Sequence, residues 1–299
     1  MAFQNIIQVG ASGSLGGPVL QSLLSSEFTV SILARSSSKS TFPTGATIIK
    51  ADFDSHESLV EALRGQDVAI FTFGGGLTTE SLSKVLIDAA IEAGVKRIIP
   101  NAWGPDLDTG PGSQQEFLAP RYRIRDYLNA KAAEGKITYT TVAPGLFFDW
   151  ALTADVLNLD FANNKAGIFD DGSRRVMLTT IPSVASAVLG VLRNPSQTEN
   201  RLVRIHDFFL SNKEVLEVVQ AVTGKTFETY TISTVELEEQ GRALMPSEQG
   251  AGLQFVAAVW GEKAIAVWGE EDESALVGLE KKDVKEVVAQ VLKGMGILV

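Results

Sequence analysis

Short apolar runs alternate with amphipathic segments through the first half of the chain. The apolar runs NIIQVG, FTVSILAR, ATIIKADF, DVAIFTFGGG, KRIIPNAWG and ITYTTVAPG are typical of buried strands. Between them, segments such as HESLVEALRG and LSKVLIDAAIEAGV repeat apolar residues at helical spacing. Strands that alternate with helices predict an α/β fold, a doubly wound parallel sheet with helices on both faces.

The pattern loosens after Gly145. GIFDDGSRRVMLTTI predicts a β-hairpin that turns at DDG, and the acidic run GEEDES predicts a solvated loop. Three later segments predict helices: IPSVASAVLGVLRN, SNKEVLEVVQAVTG and KKDVKEVVAQVLKGMG. With no low-complexity linker between the halves, we expect one α/β domain over 1–150 and a smaller α/β lobe over 151–299 that packs on it. We allow for segments of the second half that return to the first domain.

A glycine-rich turn separates the first strand from the first helix. Gly10, Gly13 and Gly16 are spaced as G-x-x-G-x-x-G. In dinucleotide-binding folds the first glycine allows a tight turn, the second admits the pyrophosphate, and the third lets helix and strand pack closely. The free N–H groups at the helix start attract phosphates. We therefore predict a pyrophosphate site at Gly10, Ser12, Gly13, Ser14, Leu15 and Gly16, although a turn that binds nothing could carry the same glycines.

The end of the second strand indicates which dinucleotide would bind. NAD sites usually place Asp or Glu there, on the ribose 2′-hydroxyl. This strand ends in ILARSSSKS, which offers Arg35, three serines and Lys39 instead. Guanidinium, ammonium and hydroxyl groups suit a 2′-phosphate. The sequence therefore predicts NADPH as the cofactor; a solvated basic loop is the alternative.

The carboxyl ends of the later strands supply further candidates, because ligands bind at that edge of a parallel sheet. Asp52 and Phe53 are expected near the adenine, and Phe73 and Gly74 near the ribose and nicotinamide, although Asp52 could equally cap a helix. Further cofactor contacts are expected from Asn101, Pro144, Gly145 and Phe147. A substrate wall is expected from Trp103, Phe147, Phe148 and Trp150, which could instead belong to the core.

Composition excludes several classes of function. The net charge is −10 and there are no cysteines and two histidines, which argues against nucleic acid as a partner and against a metal site. The N-terminus lacks the basic region of a signal peptide, and no apolar run approaches the roughly 18 residues of a membrane span. We expect a cytoplasmic protein with a small-molecule substrate; a homodimer is compatible with the sequence.

Several of these stretches resemble one known family. VGASGSLGGPVLQSLL, ARSSSKS, AAIEAGVKRIIPNAWG and YTTVAPGLFFDW are similar to the NmrA-like and isoflavone reductase-like branch of the atypical short-chain dehydrogenases, in particular to fungal members. The resemblance is strong over residues 4–150 and weaker towards the C-terminal helix. It implies a Rossmann-type domain, NADPH, a small substrate lobe, and reduction of phenolic or other secondary-metabolite substrates.

The resemblance also points to a catalytic position. The family usually has a lysine in a pattern like K-x-x-V-x-D-Y-L, and here RYRIRDYL places Arg121 at that position. The family's P-S-E-F-G segment becomes PNAWG. Arginine does not release its proton in proteins, so Arg121 is expected to stabilise an oxyanion, while Tyr122, Tyr127 or water supplies a proton.

A second catalytic pattern occurs later in the same helix. YLNAK, Tyr127 to Lys131, matches the Y-x-x-x-K dyad of the main short-chain dehydrogenase branch. That resemblance places the dyad lysine much farther before the sixth strand than Lys131 lies. We therefore expect Tyr127 and Lys131 to be a surface pair.

These observations favour an NADPH-dependent reductase. A nucleotide-sensing regulator that carries out no chemistry is the alternative that the missing lysine supports. A non-redox isomerase or cyclase on the same fold is the third.

Overall fold

The computed structural model describes residues 2–74, 79–108, 115–154, 156–269 and 271–298. Strands and helices alternate up to the sixth strand. These elements are β1 (Asn5–Val9), α1 (Gly16–Leu24), β2 (Thr29–Arg35), β3 (Thr47–Ala51), α2 (His56–Leu63), β4 (Val68–Phe71), α3 (Thr79–Ala93), β5 (Arg97–Ile99), α4 (Ala119–Ala133) and β6 (Thr138–Ala143).

The second half carries shorter strands and more helices. Its elements are β7 (Leu146–Phe147), α5 (Phe148–Thr153), β8 (Leu159–Asp160), β9 (Lys165–Phe169), β10 (Arg175–Thr179), α6 (Ile181–Arg193), β11 (Arg201–Arg204), β12 (Phe208–Ser211), α7 (Asn212–Thr223), β13 (Glu228–Ile232), α8 (Thr234–Ala243), α9 (Glu248–Trp260) and α10 (Val284–Gly294).

Seven parallel strands form the central sheet, in the order β11-β6-β5-β4-β1-β2-β3. Helices α1 and α6 pack together on one face, and α2, α3 and α4 follow one another on the other. The prediction of a doubly wound α/β sheet is confirmed. The strand order reverses direction between β1 and β4, and ligands bind outside the carboxyl ends of the strands at such a switch point.

Some segments of the second half of the chain belong to the same sheet and the same helix layer as the first half. Strand β11 pairs with β6 in the central sheet, and α6 packs on α1. The remaining short strands form two three-stranded sheets, β12-β10-β7 and β13-β9-β8. Together with α5, α7, α9 and α10 they enclose a second hydrophobic core, which lies beyond the carboxyl edge of the central sheet.

The predicted hairpin at GIFDDGSRRVMLTTI is wrong. The turn forms, since the Gly172 amide donates to the Phe169 carbonyl at 2.8 Å. However, β9 pairs with β13 and β8, whereas β10 pairs with β12 and β7. Both strands are largely buried rather than alternating, so each needs partners on both sides, and distant segments provide them.

The acidic run forms a loop, as predicted, with Glu271 and Asp272 exposed, but Glu273 joins it to the central sheet. The Glu273 amide donates to the Arg204 carbonyl at 2.8 Å, and the Arg204 amide donates to the Glu273 carboxylate at 3.0 Å. Glu271 forms an ion pair with the Arg204 guanidinium at 2.8 Å. The segment 271–283, here called the strap, therefore covers the free edge of β11 and satisfies backbone groups that an edge strand would expose.

Two helical glycines give a test of how closely the strap packs. A Cβ on Gly190 in α6 would lie 2.2 Å from the Val277 carbonyl oxygen, whereas Gly252 in α9 has open space. Gly190→Ala should destabilise the protein by about 1–3 kcal/mol through overpacking. Gly252→Ala should stabilise it by up to about 1 kcal/mol, because alanine is the better helix former. Urea unfolding followed by circular dichroism compares them; stabilisation by both substitutions would contradict the close packing.

Candidate dinucleotide and active site

Three stretches of backbone meet where β1 ends. Gly10 has φ +89°, and a Cβ there would lie 2.4 Å from the Phe73 nitrogen at the end of β4. A Cβ on Gly16 at the start of α1 would lie 2.0 Å from the Gly10 carbonyl oxygen. Only glycine fits either position, so two of the three predicted glycine roles are required by the protein's own backbone.

A buried glutamine joins the same three elements. The Gln8 side-chain amide donates to the Gly16 carbonyl and to the Thr72 hydroxyl, each at 2.9 Å. The Thr72 hydroxyl in turn donates to the Val9 carbonyl at 3.1 Å. Our sequence analysis missed Gln8, although a polar residue inside an otherwise apolar strand is the signal that could have found it.

The turn itself presents backbone to solvent. Ser12, Gly13 and Ser14 are exposed, and Leu15 precedes α1 without a side-chain cap on the helix. Two amides have partners within this turn, since Gly13 donates to the Gly10 carbonyl at 3.2 Å and Gly17 to the Gly13 carbonyl at 2.9 Å; the other amides at such a helix start attract anions. The turn therefore fits a pyrophosphate, with Leu15 itself buried in the core beneath it.

A cleft of about 440 Å³ runs from this turn to the ends of β2 and β4. Of the predicted residues, Gly10, Ser12, Arg35, Phe53, Phe73 and Gly74 line it. Phe42, Thr79 and Leu82 also line it and were not predicted, whereas Ser37 and Ser38 belong to the serines that we expected beside a 2′-phosphate. Gly75 and Gly76, of the predicted FTFGGG stretch, lie outside the described residues.

Ten of the sixteen predicted cofactor residues lie outside this lining, among them Lys39 and Asp52. Lys39 is exposed and outside the lining. Asp52 is also exposed, and its carboxylate accepts the Asp54 amide at 3.0 Å in a local turn. The helix cap that Asp52 could have provided comes instead from Ser55.

Arg35 is placed for an anion. Its guanidinium lies 5.4 Å from the centre of the Phe53 ring, so the ring orients it over the cleft. Nine of the twelve arginines form ion pairs with carboxylates, but Arg35, Arg121 and Arg174 have no such pair among the described residues. In a chain with 36 acidic and 26 basic residues, an arginine without a carboxylate indicates a place where a ligand's negative charge would be favoured.

Arg121 is the second unpaired arginine at this edge of the sheet. It lies in the first turn of α4, half-buried, and donates to the Trp103 carbonyl at 3.1 Å. A Cβ on Gly104, which has φ +149°, would lie 2.7 Å from its Nη1 atom. Burial lowers the pKa of Arg121, but a guanidinium stays charged at neutral pH.

The loops after β5 and β6 are joined directly beside Arg121. The Gly145 amide donates to the Gly104 carbonyl at 3.1 Å. Gly145 has φ +66°, and a Cβ there would lie 2.3 Å from the Met177 carbonyl oxygen. Pro144 and Asn101 are buried, so these predicted contacts could reach a cofactor only through the backbone or after side-chain movement.

The structure corrects two of the predicted substrate residues. Trp103 is 7% exposed, packs in the core, and donates its indole N–H to the Phe71 carbonyl at 2.8 Å. Phe148 is fully buried, edge-to-face against Phe208. Trp150, 39% exposed, and the half-buried Phe147 keep surface available for a ligand.

The tyrosines of α4 differ in their surroundings. The Tyr127 hydroxyl donates to the Asp88 carboxylate at 2.6 Å, and burial together with Asp88 raises the pKa of Tyr127 to about 12. The Lys131 ammonium lies 4.9 Å from the centre of the same ring. A catalytic dyad would lower the tyrosine pKa, so Tyr127 and Lys131 have the character of a structural pair. Tyr122 is half-buried, and burial raises its pKa as well.

No group of three potential metal ligands occurs among the residues that the structure describes. Over the same residues, no helix combines the length and apolar character needed to cross a membrane.

Comparison with known proteins agrees with this geometry. A family model described as the NmrA-like family matches residues 3–290. Oxidoreductase poxI from Penicillium oxalicum is 34% identical over 95% of this chain and 92% of its own length. Isoflavone reductase homolog IRL from Zea mays is 30% identical over 86% of this chain and 87% of its own length.

Solved structures share the architecture. AtPrR2 with NADP+ and (+)pinoresinol superposes with a TM-score of 0.80 at 21% identity, covering 97% of this chain and 99% of that one. The binary complex of leucoanthocyanidin reductase with NADPH from Vitis vinifera gives a TM-score of 0.77 at 18% identity, covering 97% and 99%. At these identities the likeness establishes the fold.

Gly13 provides a test of the phosphate turn. A Cβ on Gly13 would lie 3.5 Å from the nearest atoms, whereas a Cβ on Gly10 or Gly16 would clash with backbone. The φ angle of Gly13 is also outside the left-handed region. Gly13→Ala should therefore leave the free energy of unfolding almost unchanged, while its methyl group occupies the space above the turn. We expect dinucleotide affinity to fall about tenfold, or about 1.4 kcal/mol. Calorimetric titration with Gly252→Ala as the control measures this; a folded Gly13→Ala protein with normal affinity would show that the turn is not the phosphate site.

Proposed function

Because this chain belongs to the NmrA-like family, we propose that it is an NADPH-dependent reductase of a small aromatic or other secondary-metabolite substrate. Two lines of comparison support the proposal. A relative that matches nearly its whole length is an oxidoreductase, and solved proteins of the same fold bind NADP+ or NADPH.

The observation that carries the proposal is the pair of unpaired arginines at the carboxyl edge of the sheet. Arg35 ends β2, and Arg121 lies beside the loop that follows β5. In the strand order these positions are separated by β1 and β4, which corresponds to roughly 14 Å at the usual spacing between strands. An extended dinucleotide spans such a distance, with its phosphate end at Arg35 and its nicotinamide end at Arg121.

The residues between the two arginines fit the remaining parts of NADPH. Backbone amides of the turn from Gly10 to Gly16 would hold the pyrophosphate. The Phe53 ring would lie against the adenine, and Phe73 with Gly74 would border the ribose, since all three line the cleft. NADPH, when bound, supplies the hydride.

Arg121 replaces the family lysine as a permanent cation. It would hold an oxygen atom of the substrate and stabilise the negative charge that develops there during reduction. Such a group needs no proton exchange, so protonation of the product falls to Tyr122 or water. Tyr122 can take that role because a phenol is protonated at neutral pH, although burial raises its pKa and makes it a weaker proton donor than an unperturbed phenol. Tyr127 does not, because its hydroxyl is committed to Asp88.

Two aromatic side chains that follow β6 and are not fully buried support an aromatic substrate. Phe147 follows β6, and Trp150 lies on the first turn of α5. Both retain exposed ring surface, and the small lobe continues directly from them. A planar substrate could stack there while its oxygen atom faces Arg121.

The proposal is tested by measuring the steady-state oxidation of NADPH in the presence of a panel of aromatic carbonyl compounds and activated alkenes. We expect turnover with at least one compound class and none with NADPH alone. Tight NADPH binding without oxidation on any substrate would overturn the reductase proposal and leave a nucleotide-sensing regulator as the better function.

Arg121 itself carries the sharpest prediction for the chemistry. Arg121→Met should lower turnover by about 10²–10³-fold, the scale for removing one oxyanion donor, with little change in NADPH affinity. Arg121→Lys should retain part of the activity. Its amine is a cation only while protonated, and partial burial lowers its pKa, so activity should be present at low pH and lost as pH rises through that pKa. The wild type should lack this pH limb.

Tyr127→Phe is the matched control on the same helix. It removes a hydroxyl that already has a partner, and turnover should stay within about twofold of wild type if Tyr127 takes no part in catalysis. A loss for Tyr127→Phe as large as that for Arg121→Met would instead favour the Y-x-x-x-K dyad.

A further inference from the structure

A lysine on β3 lies directly behind the wall of the cofactor cleft. Lys50 is opposite Ala34 in the parallel register of β2 and β3. Its ammonium group donates to the Ser38 carbonyl at 2.6 Å. Ser38 lines the cleft together with Arg35 and Ser37. The positive charge of Lys50 is therefore fixed against the same short loop that carries Arg35.

The loop that Lys50 holds is a tight turn. The Ser36 amide donates to the Ala51 carbonyl at 2.8 Å, and the Ser38 amide donates to the Arg35 carbonyl at 2.9 Å. These bonds hold Ser37 and Ser38 at the end of β2, next to Arg35 in the chain, and the Ser38 hydroxyl accepts the Ser40 amide at 3.3 Å. Lys50 uses one of its three N–H donors on this turn and keeps two for a ligand.

Charge balance around the loop favours an anion. Lys50 forms no ion pair with a carboxylate among the described residues, whereas Lys84, Lys96 and Lys136 each have one within 2.6 Å. Asp52, two residues along the chain, directs its carboxylate into its own turn. Two cations, Arg35 and Lys50, thus lie at one loop without described carboxylate partners, in a chain of net charge −10.

The other lysine of this region is less well placed. Lys39 follows the turn and, like Lys50, is exposed and lies outside the cleft lining; what distinguishes Lys50 is the hydrogen bond from its ammonium group to the Ser38 carbonyl. The position of Lys39 along the sequence made it the natural candidate for the phosphate. Lys50 lies farther along the chain but is brought to the loop by the pairing of β3 with β2.

We propose that Lys50 is a cofactor-specificity residue: with Arg35 and the hydroxyls of Ser37 and Ser38 it binds the 2′-phosphate of NADPH, and the preference for NADPH over NADH depends on it. This inference rests on the proposed function, because it assigns a phosphate subsite within the NADPH site. The group it recognises is a phosphate monoester on the ribose.

Two purely structural roles would give different results. An exposed lysine on an edge strand also discourages pairing with other chains, and that role would leave affinity for both cofactors unchanged. A lysine that only anchors the loop would affect NADPH and NADH equally. Selective loss of NADPH is the readout that neither role produces.

The experiment titrates the full-length protein with NADPH and with NADH by calorimetry. Lys50→Met should weaken NADPH about tenfold and NADH less than about twofold, since a charged hydrogen bond to the phosphate is lost. Lys50→Gln keeps a hydrogen-bond donor but loses the positive charge, so its affinities should resemble those of Lys50→Met. Lys50→Arg keeps the charge, and its affinities should stay near those of the wild type. Adenosine 2′,5′-bisphosphate and adenosine 5′-monophosphate, used as small probes, should show the same selectivity.

Three variants calibrate these values. Arg35→Ala should also weaken NADPH selectively. Lys39→Met removes a charge from the same region, and Lys225→Met removes one from an exposed position in the second half; both should keep the preference for NADPH.

The outcomes separate this inference from the function on which it rests. If the Lys50→Met protein keeps the wild-type preference for NADPH, the role of Lys50 is overturned. The same holds if its affinities for NADPH and NADH fall equally. Either result leaves the reductase proposal intact. Loss of the preference in Lys39→Met but not in Lys50→Met would also overturn the role of Lys50. A wild-type protein that binds neither cofactor would overturn both.

Discussion

The approach of three backbones at the end of β1 is the constraint on which the rest of the site depends. Gly10 touches the backbone of Phe73, and Gly16 touches the carbonyl of Gly10, at distances that exclude even a methyl group. Gln8 holds the same elements together from within the core. Because α1 starts so close to β4, its N-terminus lies at the switch point of the sheet. A dinucleotide bound there must run across the carboxyl ends of the strands, towards β2 in one direction and β5 in the other.

Electrostatics then distinguishes the two ends of that path. An excess of acidic residues lets this chain pair most of its arginines, so the arginines left without a carboxylate are informative. Arg35 and Arg121 lie at the two ends, and each is oriented by a neighbour that carries no charge: the Phe53 ring and the Trp103 carbonyl. The prediction of an enzyme of the oxidoreductase class is confirmed by the full-length relatives. We propose that Arg121, at the position where the resemblance implies a lysine, acts by charge stabilisation rather than by proton exchange.

The structural features that were predicted correctly from the sequence are those that depend on residues close together along the chain. Alternating apolar runs and amphipathic helices were enough for the parallel sheet, and the spacing of Gly10 and Gly16 was enough for the tight turn between β1 and α1. Contacts that depend on distant pairing were not predictable. The segment after β9 was expected to fold back on it, but β13 and β12 compete successfully for the two strands. Likewise Lys50 joins the cofactor loop only through the register of β3, and Trp103 belongs to the core only because its indole meets the end of β4.

A crystal structure with NADP+ bound tests most directly whether one dinucleotide links Arg35 to Arg121. We expect the 2′-phosphate within hydrogen-bonding distance of the Arg35 guanidinium, the pyrophosphate on the amides between Gly10 and Gly16, and the nicotinamide C4 atom facing the side of the cleft where Arg121 lies. A nicotinamide ring directed away from Arg121, or a 2′-phosphate in solvent beyond Arg35, would contradict the assignment of the two arginines as the ends of the cofactor site.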